Sequence, residues 1–362
     1  MNKKKINLYL HFGAEKTGST SIQHILNQNR KDLIKAGLLY LGEDLTWNSK
    51  PCLNHQNFFK ALNLLSPEKQ LELAKQKIVN WVNFAENRKV KNILMSWESA
   101  KIPSPFLESL KKSPFLNIIP IIYVRNQTDW LKSGWKQYGC KIQGMNNISD
   151  WVKFAIQDEF WENKINWAKR IDQIASLFGN KNLVVKSYDT EKAALIESFI
   201  STFNITLDKL TNLEKSNDFN NKPLRPDLIE LVKHSRSLLS STYSEELTNM
   251  FSYFLEEDAF ISSSKEGYFI SDEDTELVQN HFSTSNNFVA KTYFNKSAEE
   301  IFISNNHKQE ITQEKEYKLE DFVATYVELL FKRDQKIKSI EKKIKKLLVN
   351  NNLFHKYSHT CF

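Results

Sequence analysis

Residues 6–21 constrain the fold more than any other stretch. An apolar run, Ile6 to Phe12, enters a turn bearing Gly13 and Gly18 and leaves it through Ser19, Thr20 and Ser21, where a helical pattern begins. A strand that feeds a helix through a glycine turn aims several backbone N–H groups at one point, and the helix dipole adds positive potential there. The natural occupant of such a turn is an anion, usually phosphate.

The rest of the chain repeats the strand-then-helix order. Ile22, Ile25, Leu26, Leu33 and Ile34 recur at helical spacing, which predicts a helix over 20–36 capped by Gly37. A second helix is expected over 56–65. Ser66-Pro67-Glu68 opens a third, with serine as N-cap and proline at the first helical position. Strands are expected at 90–96, 116–124 and 183–185, and a helix at 128–140; the chain from there to about Lys296 reads as mainly helical. Pro120 predicts a bulge or a strand end within 116–124. Strands alternating with helices imply right-handed crossovers and a parallel sheet covered on both faces. The expected fold is therefore α/β and of P-loop type: three layers, with a central parallel sheet flanked by helices. It occupies 1–300, with Lys215 to Pro226 as a polar loop placed to cover a site.

Beyond Glu314 the pattern changes. Val323, Tyr326, Leu330, Ile337, Ile340, Ile344 and Leu347 fall on heptad positions interrupted at Arg333, so 314–350 reads as a basic helix. Its spacing fits a coiled coil, which would make a homo-oligomer, and equally an amphipathic helix packed on its own domain. The formal net charge is +7, yet Lys332 to Lys346 alone hold eight Lys and Arg against two acids. The body is thus nearly neutral, which argues against a nucleic-acid-binding face. The chain has no apolar run long enough for a transmembrane helix. Lys3-Lys4-Lys5 is followed by too short an apolar stretch for a signal peptide, so a cytoplasmic protein is expected. Cys52, Cys140 and Cys361 form no CxxC pair, and neither a disulfide framework nor a metal cluster is expected.

The anion loop departs from a nucleoside triphosphate loop, which carries lysine after its second glycine. Here Ser19 takes that place and the lysine has moved forward to Lys16. Lys16-Thr17-Gly18-Ser19-Thr20 after a first strand resembles the 5′-phosphosulfate loop of the PAPS-dependent sulfotransferases (PAPS, 3′-phosphoadenosine 5′-phosphosulfate). The stretch from Phe12 through Asn29-Arg30, Leu33, Gly37 and Tyr40 is similar to the bacterial glycan-type branch of that family. The resemblance implies that Lys16, Thr17, Gly18, Ser19 and Thr20 bind the 5′-phosphosulfate of PAPS, with Lys16 stabilising the bridging oxygen, and that no metal is needed. The alternative is a serine-rich helix cap with an incidental lysine.

PAPS also carries a 3′-phosphate. The family's signature for it is an arginine at a strand end and a serine eight residues on, a spacing met by Arg125 and Ser133. Arginine offers a planar fork of donors suited to phosphate, and the end of a parallel strand is where open α/β sheets bind ligands. A late segment, Phe282 to Phe294, also resembles the glycan branch.

Two residues are candidates for the general base. Glu98 follows the second expected strand in Ser96-Trp97-Glu98, where family members often carry S-x-E; His55, in Asn54-His55-Gln56, is the other. Their plain alternatives are a helix-capping or ion-paired carboxylate and a satisfied loop histidine. Lys186, Lys222 and Arg225 are further candidates for closing over the nucleotide. Trp130, Trp135, Trp151 and Trp161 fit core positions better than sugar stacking, given their helical spacing. The implied activity is sulfuryl transfer from PAPS, leaving PAP (adenosine 3′,5′-bisphosphate), to a hydroxyl of a glycan or glycolipid. The competing readings are a nucleotide-dependent kinase and a non-catalytic nucleotide-binding protein that docks through its C-terminal helix.

Overall fold

The computed structural model describes residues 5–213 except 53, 99–101 and 143, residues 270–304, and isolated positions between 334 and 342. Five strands form one sheet: β1 (Ile6–His11), β2 (Leu38–Tyr40), β3 (Asn92–Ser96), β4 (Leu116–Val124) and β5 (Val184–Ser187). Their order is β2-β3-β1-β4-β5 and every pairing is parallel. The helices before β4 are α1 (Ser19–Gln28), α2 (Arg30–Lys35), α3 (Gln56–Leu62), α4 (Pro67–Arg88) and α5 (Ser104–Lys112). After β4 come α6 (Gln127–Gln137), α7 (Ile148–Gln157), α8 (Glu159–Ile165) and α9 (Trp167–Phe178). α10 (Tyr188–Glu191), α11 (Leu195–Ser201), α12 (Asp272–Val289) and α13 (Ala298–Ile301) follow β5.

The sheet is buried on both faces, as the near-continuous apolar runs of its strands require. Leu8 and Leu10 of β1 point to one side, where they join Ile93 and Met95 with Phe59, Trp81 and Phe106 from α3, α4 and α5. Tyr9 points to the other, with Leu94, Ile121 and Tyr123 against Ile22, Ile25 and Leu26 of α1 and Phe199 of α11. This is the expected P-loop-type α/β architecture of three layers.

The boundaries depart from expectation by a few residues at several element ends, and more substantially as follows. The helix expected over 20–36 breaks at Asn29, whose amide donates to the carbonyls of Ile25 and Asn212 and accepts from the Asn212 N–H. β2 is a buried three-residue strand, too short to show a period. The helix expected to Cys140 ends at Gln137. Pro120 causes neither bulge nor strand end: β4 runs through it in register with Leu10. Ile121 O accepts from Phe12 N on the β1 side, so the missing Pro120 N–H faces the other way, and β5 joins only from Ile121 onward. Ser66 caps α4 as expected, accepting from the Lys69 N–H at 3.5 Å.

Nearly all these elements belong to one compact unit, Met1–Trp135, Asn147–Asn221 and Tyr268–His307; a second unit comprises Lys136–Asn146, Lys222–Gly267 and Lys308–Phe362. The 215–226 loop and most of the heptad positions lie outside the described residues; positions 334, 335, 337–339, 341 and 342 are helical. Among the described residues no helix is long and apolar enough to cross a membrane.

Candidate active site

Because all five strands are parallel, the segments that leave their carboxyl ends gather on one edge of the sheet. Those segments carry the anion loop after β1, Glu98 after β3, Arg125 after β4 and Tyr188 after β5. The loop turns through three residues with positive φ: Gly13 at 69°, Lys16 at 67° and Gly18 at 77°. Gly18 is the N-cap of α1, and no side chain caps the helix, so its first N–H groups are left for an external acceptor. Gly18 has a φ of 77°, which a residue with a side chain adopts only with strain, and a Cβ there would also press on the Leu195 and Tyr188 side chains.

The hydroxyls of the loop divide their work. Thr17 is buried and donates to Ala14 O at 2.7 Å, closing the turn. Ser19 donates to the Glu98 carboxylate, and Thr20 stands half-buried in the first turn of α1. Burial raises the Glu98 pKa above its ordinary value; the Ser19 bond, Lys16 and Arg170 draw it down, while Glu15 pushes it up.

Arg125 does more than cap a strand. Its Nη1 donates to the Lys16 carbonyl, which pins the positive-φ residue of the loop, and its guanidinium lies 5.0 Å from the centre of the Tyr188 ring. Its Nε is a buried donor with no hydrogen-bond partner. A buried, unsatisfied guanidinium N–H beside an anion loop fits an incoming phosphate oxygen. Ser133 is half-buried on α6, two turns on. Asp189 accepts from the Asn126 N–H at 2.6 Å, next in the chain to Arg125; burial lifts its pKa to about 6, against the pull of that N–H and of Arg125.

His55 is engaged differently from Glu98. Its Nδ1 lies 2.9 Å from Ser96 O and 3.0 Å from Ser96 N, and its Nε2 lies 3.1 Å from Leu41 O. Burial lowers its pKa to about 4. Both ring nitrogens meet backbone atoms, so His55 joins the chain after β2 to the end of β3. Lys186 is also engaged, paired with Glu191 at 3.2 Å and donating to Ser198 at 2.8 Å. Lys222 and Arg225 lie outside the described residues.

Several residues that build the site carry no motif. The Trp130 indole donates to Glu15 O and the Trp167 indole to Arg125 O, both at 2.7 Å, so two buried tryptophans fix the backbone of the β1–α1 loop and of the segment leaving β4. Trp135 and Trp151 are also fully buried, consistent with core positions. In the 282–294 segment, Asn286 exchanges hydrogen bonds with Gln127, two residues past Arg125. Glu15 is buried inside the anion loop, 3.1 Å from Lys164 Nζ and 3.5 Å from Arg170 Nη1. Burial would raise its pKa, but the two cations outweigh that and hold it below its ordinary value. The one signal that could have found Arg170 is Glu15 itself: an acid within an anion loop requires cations nearby.

No protein-family model matches the sequence, and no curated protein matches it. Among solved structures, the chain is similar to mouse sulfotransferase SULT7A1 complexed with PAP (9% identity, 79% of this chain and 86% of that chain, TM-score 0.37). It is also similar to the sulfotransferase domain from the curacin biosynthetic pathway (13% identity, 78% and 99%, TM-score 0.32). A third is retinol dehydratase in a complex with retinol and PAP (12% identity, 78% and 82%, TM-score 0.30). These likenesses are distant, and the chemistry of the site rests on its own geometry.

Proposed function

We propose that this protein is a sulfotransferase that moves a sulfuryl group from PAPS to a hydroxyl of a saccharide. The observation that carries the reading is the contact between Arg125 and the Lys16 carbonyl. It sets an arginine with a spare buried N–H directly against an uncapped anion loop. A nucleotide with phosphate on both its 3′ and 5′ positions needs two such neighbouring sites. The saccharide acceptor rests on the resemblance of the loop region and of residues 282–294 to the glycan-type branch.

In this reading the loop N–H groups and Lys16 hold the 5′-phosphosulfate, and Arg125 with Ser133 holds the 3′-phosphate. The acceptor oxygen attacks sulfur in line, a new S–O bond forms, and the S–O bond to the 5′-phosphate breaks, leaving PAP. Positioning and charge stabilisation supply most of the rate in transfers of this kind. Glu98 accepts the acceptor's proton, and its raised pKa makes it a stronger base than an exposed carboxylate. A serine hydroxyl has one proton to give. A donor phosphate that takes it from the Ser19–Glu98 bond leaves the carboxylate free for the acceptor.

Calorimetric titration with PAP, with ATP-Mg as control, tests the reading. Micromolar PAP binding that weakens tenfold or more in Arg125→Ala, about 1.4 kcal/mol, is expected. Binding of ATP-Mg without PAP would overturn it in favour of a kinase, and binding of neither would favour a non-catalytic partner protein.

A further inference from the structure

Arg170 stands on α9, more than seventy residues from Glu98 in the chain, yet its guanidinium reaches the segments around the candidate base. Nη1 donates to Lys164 O at 3.1 Å and meets Glu15 Oε2 at 3.5 Å; Nη2 donates to Glu98 O at 3.4 Å and Phe12 O at 3.5 Å. One planar fork thus collects the end of α8, the anion loop, the residue that enters that loop, and the segment leaving β3. Glu98 lies two residues past β3, outside any sheet ladder, so this contact is part of what holds its backbone. Glu15 fixes the fork from the other side and neutralises a half-buried cation, with Lys164 as the second cation on the same carboxylate.

We propose that Arg170 and Glu15 are positioning residues that together hold Glu98 against the anion loop, the guanidinium bonded to the Glu98 carbonyl and the Glu15 carboxylate fixing the guanidinium. The proposal rests on the sulfotransferase reading only for the purpose of that base; the coupling itself is a property of the free protein. Only the Ser19 hydroxyl from α1 is bonded to the Glu98 carboxylate; the charges that act on it are Glu15 and Lys16 from the loop and Arg170 from α9, and Lys164 of α8 acts through Glu15. A cation favours the charged form of a neighbouring carboxylate and an anion disfavours it. Loss of Arg170 charge therefore raises the Glu98 midpoint, and loss of Glu15 charge lowers it. A role in packing alone would move neither, or move both the same way.

The experiment is a carbon-13 NMR titration of the full-length protein with labelled glutamate, the Glu98 signal being the one absent from Glu98→Gln. The expected midpoint rises by about 0.5–1 pH unit in Arg170→Met and falls by a similar amount in Glu15→Gln, shifts of the size a nearby charge produces at a half-buried site. Arg170→Lys keeps the charge but loses the fork, so its midpoint stays near wild type while kcat with PAPS falls tenfold or more. Unmoved midpoints, or shifts of the same sign, would overturn the proposal. If Arg170→Met does not fold, Glu15→Gln and Arg170→Lys decide the question. Opposite shifts in a protein that transfers nothing from PAPS would uphold the coupling and sink the sulfotransferase reading; turnover with unmoved midpoints would do the reverse.

Discussion

At Gly13 the anion loop backs directly onto the candidate base: a Cβ there would lie 2.9 Å from Glu98 Cγ, and φ is 69°. Gly13→Ala meets both penalties at once. It is expected to lose about 1–3 kcal/mol of stability, the cost of overpacking plus a disfavoured backbone, and to push Glu98 away from Ser19. Thermal unfolding and PAP titration check the two halves. Glu98→Gln keeps the shape and removes the base. Its kcat should fall about 10²- to 10⁴-fold, the usual share of a general base, while PAP affinity stays within a few-fold of wild type. Full turnover in that variant would remove Glu98 from the role. At this scale the sequence singled out the loop, Arg125 and Glu98, because glycine spacing and strand-end position are local signals. It was silent on Arg170 and Trp167, which reach the site from α9 and belong to no motif, and it read Trp130 as a core residue without its bond to the loop.

Among the elements, the break between α1 and α2 shows how a distant segment overrides helical spacing. The apolar period runs unbroken across Asn29, yet its side chain is held by the Asn212 backbone at 2.7 and 2.9 Å. Arg30, the next residue, donates to the carbonyls of Tyr40, Trp47 and Ser49, which ties the chain after β2 to the start of α2. Asn29→Ala strands the Asn212 groups and is expected to cost about 2–3 kcal/mol, at roughly 1 kcal/mol per hydrogen bond lost. Urea unfolding measures this, and a loss below a few tenths would show that the helix break does not depend on Asn29. β4 teaches the opposite lesson. Proline reads as a strand breaker, but its missing donor costs nothing where β5 has not yet begun to pair.

For the molecule as a whole, the buried histidines predict an acid sensitivity. Burial lowers the pKa of His11 to about 3 and that of His55 to about 4, against about 6.5 unfolded. Both are held neutral, so their contribution is fully present above pH 6.5 and is lost as pH falls toward 4 and then 3. Asp189, raised to about 6, works in the opposite sense: its burial penalty is felt above pH 6 and relieved as it takes up a proton. Comparison of wild type with His55→Gln separates the two. The difference in unfolding free energy should shrink as pH falls from about 6.5 to 4, and a difference constant over that window would mean that His55 is not buried as the neutral form.

The parallel sheet with helices on both faces and the glycine turn between β1 and α1 followed from the sequence alone, whereas the pairing of Arg125 with Ser133 is what the family resemblance implied. The sheet and the turn depend on neighbours within a few residues: apolar runs, helical period, glycine position. Tertiary structure alone decided that Arg125 grips the Lys16 carbonyl, that Ser19 donates to Glu98, and that His55 turns both ring nitrogens to the backbone. It alone placed Arg170 between four segments. Those contacts join residues that only the stacking of β3, β1 and β4 brings to one edge, and no local pattern encodes which side chain a crossover will deliver there.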